Sequence, residues 1–389
     1  MSSVSRFTIL IAVIFVFIFT ACQATSVTGS PAQTMEPLPF PTSLGAASTE
    51  VPESPIPFTK TTSPTILYVV GNTLVKQAGN GSPEIIAEFP VSNHVEAAVL
   101  TDKYLFALDE QGITQVNLAD GLYERLMKFD SPVLAGQLVA FNNGSKIIYS
   151  TVIEDLNTPS SFATIVGAID LERKTELFRS YHPRWVGLLG LTKDENSLVL
   201  RPFGQDPEFD RIWLLDISKR DEIKEAFLQG IGVLVASLSP NAQFLATMGQ
   251  IPSAGDRTDL KAVLSLYDLS SLDLPTHRDI ALPKSPSYFK EVLWSSDSQE
   301  VYFLLLPGKS WEEPSTTYGL WSLDVITDEM SQVASISDVD FALSRISSHG
   351  EWILLTRQSN DGALLVHIPT GEIQSFEIPQ GALIVEISP

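Results

Sequence analysis

Three stretches of the chain are copies of one object. Val235–Met248 (VASLSPNAQFLATM), Val292–Leu305 (VLWSSDSQEVYFLL) and Leu343–Thr356 (LSRISSHGEWILLT) each read as a β-strand, a tight polar turn and a second strand. A loop and a third strand follow each: Ala262–Leu269, Tyr318–Val325 and Ala363–Pro369. A charged or glycine-containing turn and a fourth strand then complete the unit. Recurrence at a fixed period is the signature of a repeat architecture, and it constrains the fold more than any other feature here.

Weaker copies lie upstream. Leu138–Ser150 leads to Thr164–Leu171, Val186–Leu200 to Arg211–Ile217, and Ala97–Leu108 to Gly112–Leu118. Near residue 65 the order changes: Ile66–Val70, Thr73–Val75 and Ile85–Phe89 look like second, third and fourth strands with no first. Ala382–Ser388 (ALIVEIS) reads as the missing opening strand, and pairing it with 66–89 would close a ring and remove the open sheet edges of a linear array. Residues 65–389 shared among seven units give about 46 each, close to the roughly 40 to 45 of four-stranded propeller repeats. The expectation is an all-β, seven-bladed β-propeller whose C-terminal strand closes the first blade. The one helical candidate, Asp221–Leu228 (DEIKEAFL), is too short to change the class.

Trp294-Ser295-Ser296-Asp297-Ser298 and Ser239-Pro240-Asn241-Ala242 resemble the strand-turn-strand element of TolB-like and WD40-like propeller repeats, in which a tryptophan or small residue precedes Ser-Pro-Asp-Gly. No Trp-Asp dipeptide ends any third strand, so the array departs from standard WD40 repeats. The resemblance implies a fold, not a role.

Residues 1–64 carry different information. Phe7–Ala21 is an uncharged apolar run, 15 residues long, which suits a signal-peptide core better than the roughly 20 residues of a spanning helix; an uncleaved anchor is the alternative. Phe19-Thr20-Ala21-Cys22 resembles the lipobox of bacterial lipoproteins, with Phe19 departing from the usual aliphatic residue. That resemblance implies a signal peptide over 1–21, acylation (palmitate or similar chains) at Cys22, and attachment to the cell membrane on its extracytoplasmic side. Residues 23–64 hold eight prolines and fourteen Ser or Thr, a composition that cannot form a core, so 22–64 reads as a disordered linker from the lipidated cysteine to the propeller at 65–389.

Composition then removes function classes. With 46 acidic against 25 basic side chains the net charge is −21, which repels nucleic acid, and none is expected as a partner. Cys22 is the sole cysteine, so intrachain disulfides and cysteine-based zinc sites are excluded. Gly-x-Ser-x-Gly and His-Glu-x-x-His do not occur, and the glycine pairs at 79–81 and 230–232 lack the third glycine of a dinucleotide site, so no cofactor and no catalytic residue is assigned.

In a four-stranded blade the loops between second and third strands open on the same face as the inter-blade connections. Four successive units carry long insertions there, at about 151–162, 202–210, 250–261 and 306–317, rich in carboxylates. Trp185, Phe203, Phe209, Tyr288, Trp311 and Glu312 are the expected binding residues of this rim, with Tyr181, His182, Phe162 and Phe289 beside them, because aromatic anchors in a polar rim describe a recognition surface. Asp206-x-Glu208-x-Asp210 has the spacing of the first three ligands of a calcium loop, but Arg211 stands where the glycine belongs, so no metal is assigned. The expected function is a non-enzymatic module binding an envelope protein or carbohydrate. The alternative is a propeller hydrolase or lyase acting on envelope carbohydrate or peptide.

Overall fold

The computed structural model describes residues 64–388 apart from 142–144, 155–161, 203–210, 220–222, 228–231, 254–255, 272–275, 283–286, 308–316, 338–340 and 358–361. All regular structure among the described residues is β. Blade 1 contains β1 (Thr65–Val70), β2 (Thr73–Ala78) and β3 (Glu84–Glu88). Blade 2 contains β4 (Val95–Leu100), β5 (Tyr104–Asp109), β6 (Gly112–Asn117) and β7 (Tyr123–Lys128). Blade 3 is β8 (Val133–Phe141), β9 (Lys146–Glu154), β10 (Phe162–Asp170) and β11 (Thr175–His182); blade 4 is β12 (Val186–Leu191), β13 (Ser197–Pro202), β14 (Arg211–Asp216) and β15 (Ile223–Phe227). Blade 5 is β16 (Gly232–Leu238), β17 (Phe244–Ser253), β18 (Asp256–Asp268) and β19 (Thr276–Ile280); blade 6 is β20 (Ser287–Trp294), β21 (Glu300–Pro307), β22 (Tyr318–Asp324) and β23 (Met330–Ile336). Blade 7 is β24 (Phe341–Ile346), β25 (Trp352–Arg357), β26 (Ala363–His367) and β27 (Glu372–Phe376), and β28 (Leu383–Ser388) returns to blade 1.

Each sheet is a four-stranded antiparallel meander, and blade 1 has the order β28-β1-β2-β3, with Thr65 opposite Ser388 and Ile66 opposite Ile387. The inner strands β28, β4, β8, β12, β16, β20 and β24 touch their neighbours all the way round, so the ring is closed. At the closing junction the half-buried Arg345 donates to the carbonyl of Val385 at 2.5 Å.

The core follows from the faces of the second strands. Leu198 and Leu200 of β13 pack toward blade 3, whereas Val199 between them packs toward blade 5. Val301, Phe303 and Leu305 of β21 face blade 5; Tyr302 and Leu304 face blade 7. A strand buried on both faces must be apolar at every position, which is why these strands read as continuous aliphatic runs. Each apolar cluster of the described residues is one inter-blade junction, from Val69 and Leu105 between blades 1 and 2 to Trp352 and Tyr68 between blades 7 and 1. Truncating a junction residue such as Leu200 to alanine costs about 2–5 kcal/mol.

Two devices repeat. On the inner strands, one residue is skipped in the pairing of every blade: Glu96, Leu134, Leu189, Leu234, Glu291, Ser344 and Val385. Bulges sharpen the strand twist, and one per blade at the same height bends all seven inner strands alike. In the turns joining first and second strands, the hydroxyls of Thr192, Ser239, Ser295 and Ser347 accept the amide hydrogens of Ser197, Phe244, Glu300 and Trp352 at 2.8–3.1 Å. The left-handed position of that turn is filled by Glu195 (φ 57°), Ala242 (56°), Ser298 (64°) and Gly350 (74°).

Turns between third and fourth strands are also alike. The carboxylates of Asp170, Asp216 and Asp324 each accept the amides two and three residues ahead. These turns overlap the outer strand of the preceding blade. Arg278 of β19 pairs with Asp328 at 2.9 Å and donates to the carbonyl of Val325, Glu124 of β7 pairs with Lys174, and Asn80 donates to the carbonyl of Ser375 at 3.3 Å. In blade 7 the turn residue is Gly371 (φ 69°), where a Cβ would lie 2.5 Å from the carbonyl oxygen of Val333 in blade 6.

Two local expectations change. The helical candidate at 221–228 contributes β15, because pairing with β14 satisfies its backbone where a helix of two turns would leave most of its groups unpaired. The insertion expected as a loop at 250–261 is mainly strand, since β17 and β18 remain paired as far as Ser253 and Asp256.

Candidate functional site

We call upper the face that carries the inter-blade connections and the turns between second and third strands, and lower the face that carries the other turns. Of the residues expected on the upper rim, Phe203, Asp206, Glu208, Phe209, Asp210, Trp311 and Glu312 lie outside the described residues, as does Cys22. Tyr288 falls within β20. Trp185 is placed on the connection between blades 3 and 4, with 43% of its surface exposed, and Tyr181 near it is 46% exposed. His182, expected on the same surface, is instead buried beneath it.

The connection at 183–185 is held rigidly by blade 3. Thr164 Oγ1 donates to the carbonyl of Arg184 and accepts the amide hydrogen of Val186, both at 2.9 Å. Gln137 Oε1 accepts the amide of Leu188 at 2.8 Å, so three strands position the segment that presents Trp185. Below it, the His182 ring lies 5.9 Å from the indole of Trp213, and the guanidinium of Arg184 lies 5.4 Å from the same indole. Burial, and then Arg184, lower the proton affinity of His182, which keeps the imidazole neutral near pH 7. Among the described residues neither His182 Nε2 nor Trp213 Nε1 has a hydrogen-bond partner, although both atoms are buried. Arg201 and Arg211 stand at the upper ends of β13 and β14, Arg201 buried and Arg211 paired with Glu225 at 2.8 Å.

Blade 2 carries a second polar group on this face. Burial pushes the Asp109 carboxyl up, but two bonds from Arg125 at 2.8 Å and the amides of Gln111 and Ser92 outweigh it and hold it below the usual carboxylate range. Asp109 thereby fixes both the β5–β6 turn and the incoming connection. On that connection His94 contacts Glu96 at 2.5 Å, and Asn93 donates to Glu110. Burial lifts the Glu96 carboxyl above its ordinary range, His94 opposes the shift and Glu110 adds to it. Glu96 is also the bulge residue of β4, and bulges re-aim side chains. Among the described residues no group of three or more His, Cys, Asp and Glu is arranged to hold a metal.

The lower face carries a feature that the sequence reading missed, a cleft of about 620 Å³ between blades 2 and 3. It is walled by turns of two units, with Leu122 and Tyr123 exposed at the start of β7.

No protein-family model matches the chain, and no curated protein matches its sequence. Solved structures do match in fold. An oligogalacturonate lyase from Vibrio parahaemolyticus aligns with a TM-score of 0.53 at 11% identity, over 79% of this chain and 84% of its own. An oligogalacturonate lyase in complex with manganese gives 0.53 at 13%, over 82% and 83%. A candidate 6-phosphogluconolactonase from Bacteroides fragilis gives 0.52 at 12%, over 86% and 99%. Identities this low establish a shared propeller fold.

Proposed function

We propose that the protein is a lipid-anchored lipoprotein of the cell envelope whose propeller is a non-enzymatic recognition module, binding an envelope protein through the upper rim. The observation that carries the reading is the exposed Trp185 on a rigidly held connection, with the exposed Tyr181 at the end of β11 beside it. Rigid aromatic anchors beside arginines supply most of the binding energy in protein interfaces. The sole cysteine, directly after an apolar run, supports the anchor. Co-purification of the full-length protein from envelope extracts, alongside Trp185→Ala, tests the binding surface. A partner retained by the parent and lost by the variant is the expected result; equal retention overturns it. Labelling with a clickable fatty acid tests the anchor, and Cys22→Ser should abolish the label.

A second reading has an observation of its own. Glu96, whose carboxyl burial raises, stands near Glu110, and two neighbouring carboxylates are the usual acid and base of glycoside-bond chemistry. Two of the proteins with a similar fold are oligogalacturonate lyases. Release of new chain ends from an envelope or plant polysaccharide, lost in both Glu96→Gln and Glu110→Gln, would establish this reading in place of the first.

A further inference from the structure

We infer that the lower-face cleft between blades 2 and 3 is a second binding site, separate from the upper rim, and that its ligand is a neutral oligosaccharide. The volume, about 620 Å³, suits a small-molecule site. The walls are rigid. Thr101 Oγ1 bonds the amide and carbonyl of Tyr104, Asn117 Oδ1 accepts the amide of Ala119, and the amide of Leu171 donates to the carbonyl of Ser145.

Charge selects the ligand class. The lining holds Asp102, Glu124 and Glu172 against Lys103 and Lys174, and Glu124 and Lys174 neutralise each other. A chain with a net charge of −21 has therefore assembled a nearly balanced cleft, which favours neither a cation nor an anion. Apolar surface selects further. Leu122 is 69% exposed and Tyr123 is 56% exposed, side by side at the start of β7. An exposed ring beside the planar amides of Gln115 and Asn117 offers a stacking face and in-plane donors and acceptors together. Sugar rings present a face of C–H groups and an equator of hydroxyls, the complement of that arrangement. A peptide adding to the free edge of β7 is disfavoured, because Glu124, Arg125 and Lys128 line that strand and Lys174 reaches onto it from blade 3.

The test is calorimetric titration of the full-length protein with cellotetraose, maltotetraose and chitotetraose, and with trigalacturonate as the anionic probe. We expect saturable binding of at least one neutral sugar, weaker or absent binding of trigalacturonate, and a Kd raised about tenfold by Tyr123→Ala through the lost aromatic face. Tyr123→Phe should stay within about threefold, since the ring remains. Ile326→Ala, an exposed apolar residue on the lower face of blade 6, should change nothing. The inference is overturned if no neutral sugar binds, if trigalacturonate binds more tightly, or if Tyr123→Ala binds as the parent does. None of these outcomes bears on the upper-rim reading, which rests on other residues.

Discussion

The two faces of the propeller are built by different rules. Below, one turn recipe recurs: a hydroxyl at the end of the inner strand, a residue in the left-handed region three places on, and a carboxylate capping the later turn. Above, each junction is solved separately, by Asp109 and Arg125 in blade 2 and by Thr164 and Gln137 between blades 3 and 4. Lower-face turns thus share one local recipe and are pinned by repeated contacts to the next blade, whereas upper-face geometry is set by junction-specific side chains that reach from another strand. The face that can vary without disturbing the repeat is the upper one, where a rigid scaffold can carry recognition at little structural cost.

If that contrast is right, single substitutions should cost most above. Asp109→Ala leaves the Arg125 guanidinium without its carboxylate and three amides without an acceptor, and should lose about 3–5 kcal/mol in denaturant unfolding. The carboxylate is favoured in the folded state, so its contribution is complete above its unfolded pKa, about 3.9, and fades as pH falls through the lower folded value. Acid titration of Asp109→Asn should show that limb flattened. Ser295→Ala removes an acceptor for the amides of Gln299 and Glu300 and should cost about 1–2 kcal/mol; a loss equal to that of Asp109→Ala would break the comparison.

The shared lower-face recipe also predicts gains. Glu195 and Ala242 occupy left-handed positions that Gly350 fills in blade 7, so each change to glycine should stabilise by about 0.5–1 kcal/mol, whereas Ser298→Gly should not, because the Ser298 hydroxyl accepts the amide hydrogen of Asn241 from blade 5. Glu195 and Ala242 lie in separate blades, and the double variant should be additive within about 0.5 kcal/mol. The smallest effect belongs to the exposed Lys174–Glu124 pair. Lys174→Met should change stability by no more than about 0.5 kcal/mol at moderate salt, measured by the same unfolding curves.

Blade number, strand order and ring closure were legible in the sequence because turn spacing and doubly buried strands leave residue-type signatures. Ser239-Pro240-Asn241-Ala242 forms the turn that its spelling suggests. The inner-strand bulges were not legible: the skipped residues range from Glu96 to Leu189 to Ser344, and nothing in their chemistry marks the shift. Within the short helical candidate at 221–228, residues 223–227 form the outer strand β15, with Lys224 and Glu225 exposed. Of the upper site, Trp185 could be read as an exposed aromatic in a connection. The burial of His182 against Trp213 could not, because it depends on contact between two blades. The lower cleft escaped for the same reason, being walled by turns of two units.

Pairing of β1 with β28 has a consequence in time as well as in space. As the chain is synthesised, β1, β2 and β3 emerge first, yet their sheet lacks its inner strand until Leu383–Ser388 follows. Until then the inner edge of β1 is a template for any passing strand. Closure is therefore the last event of folding and the one most exposed to a wrong partner, so a factor that shields an open sheet edge would act on this protein late in its production, not early.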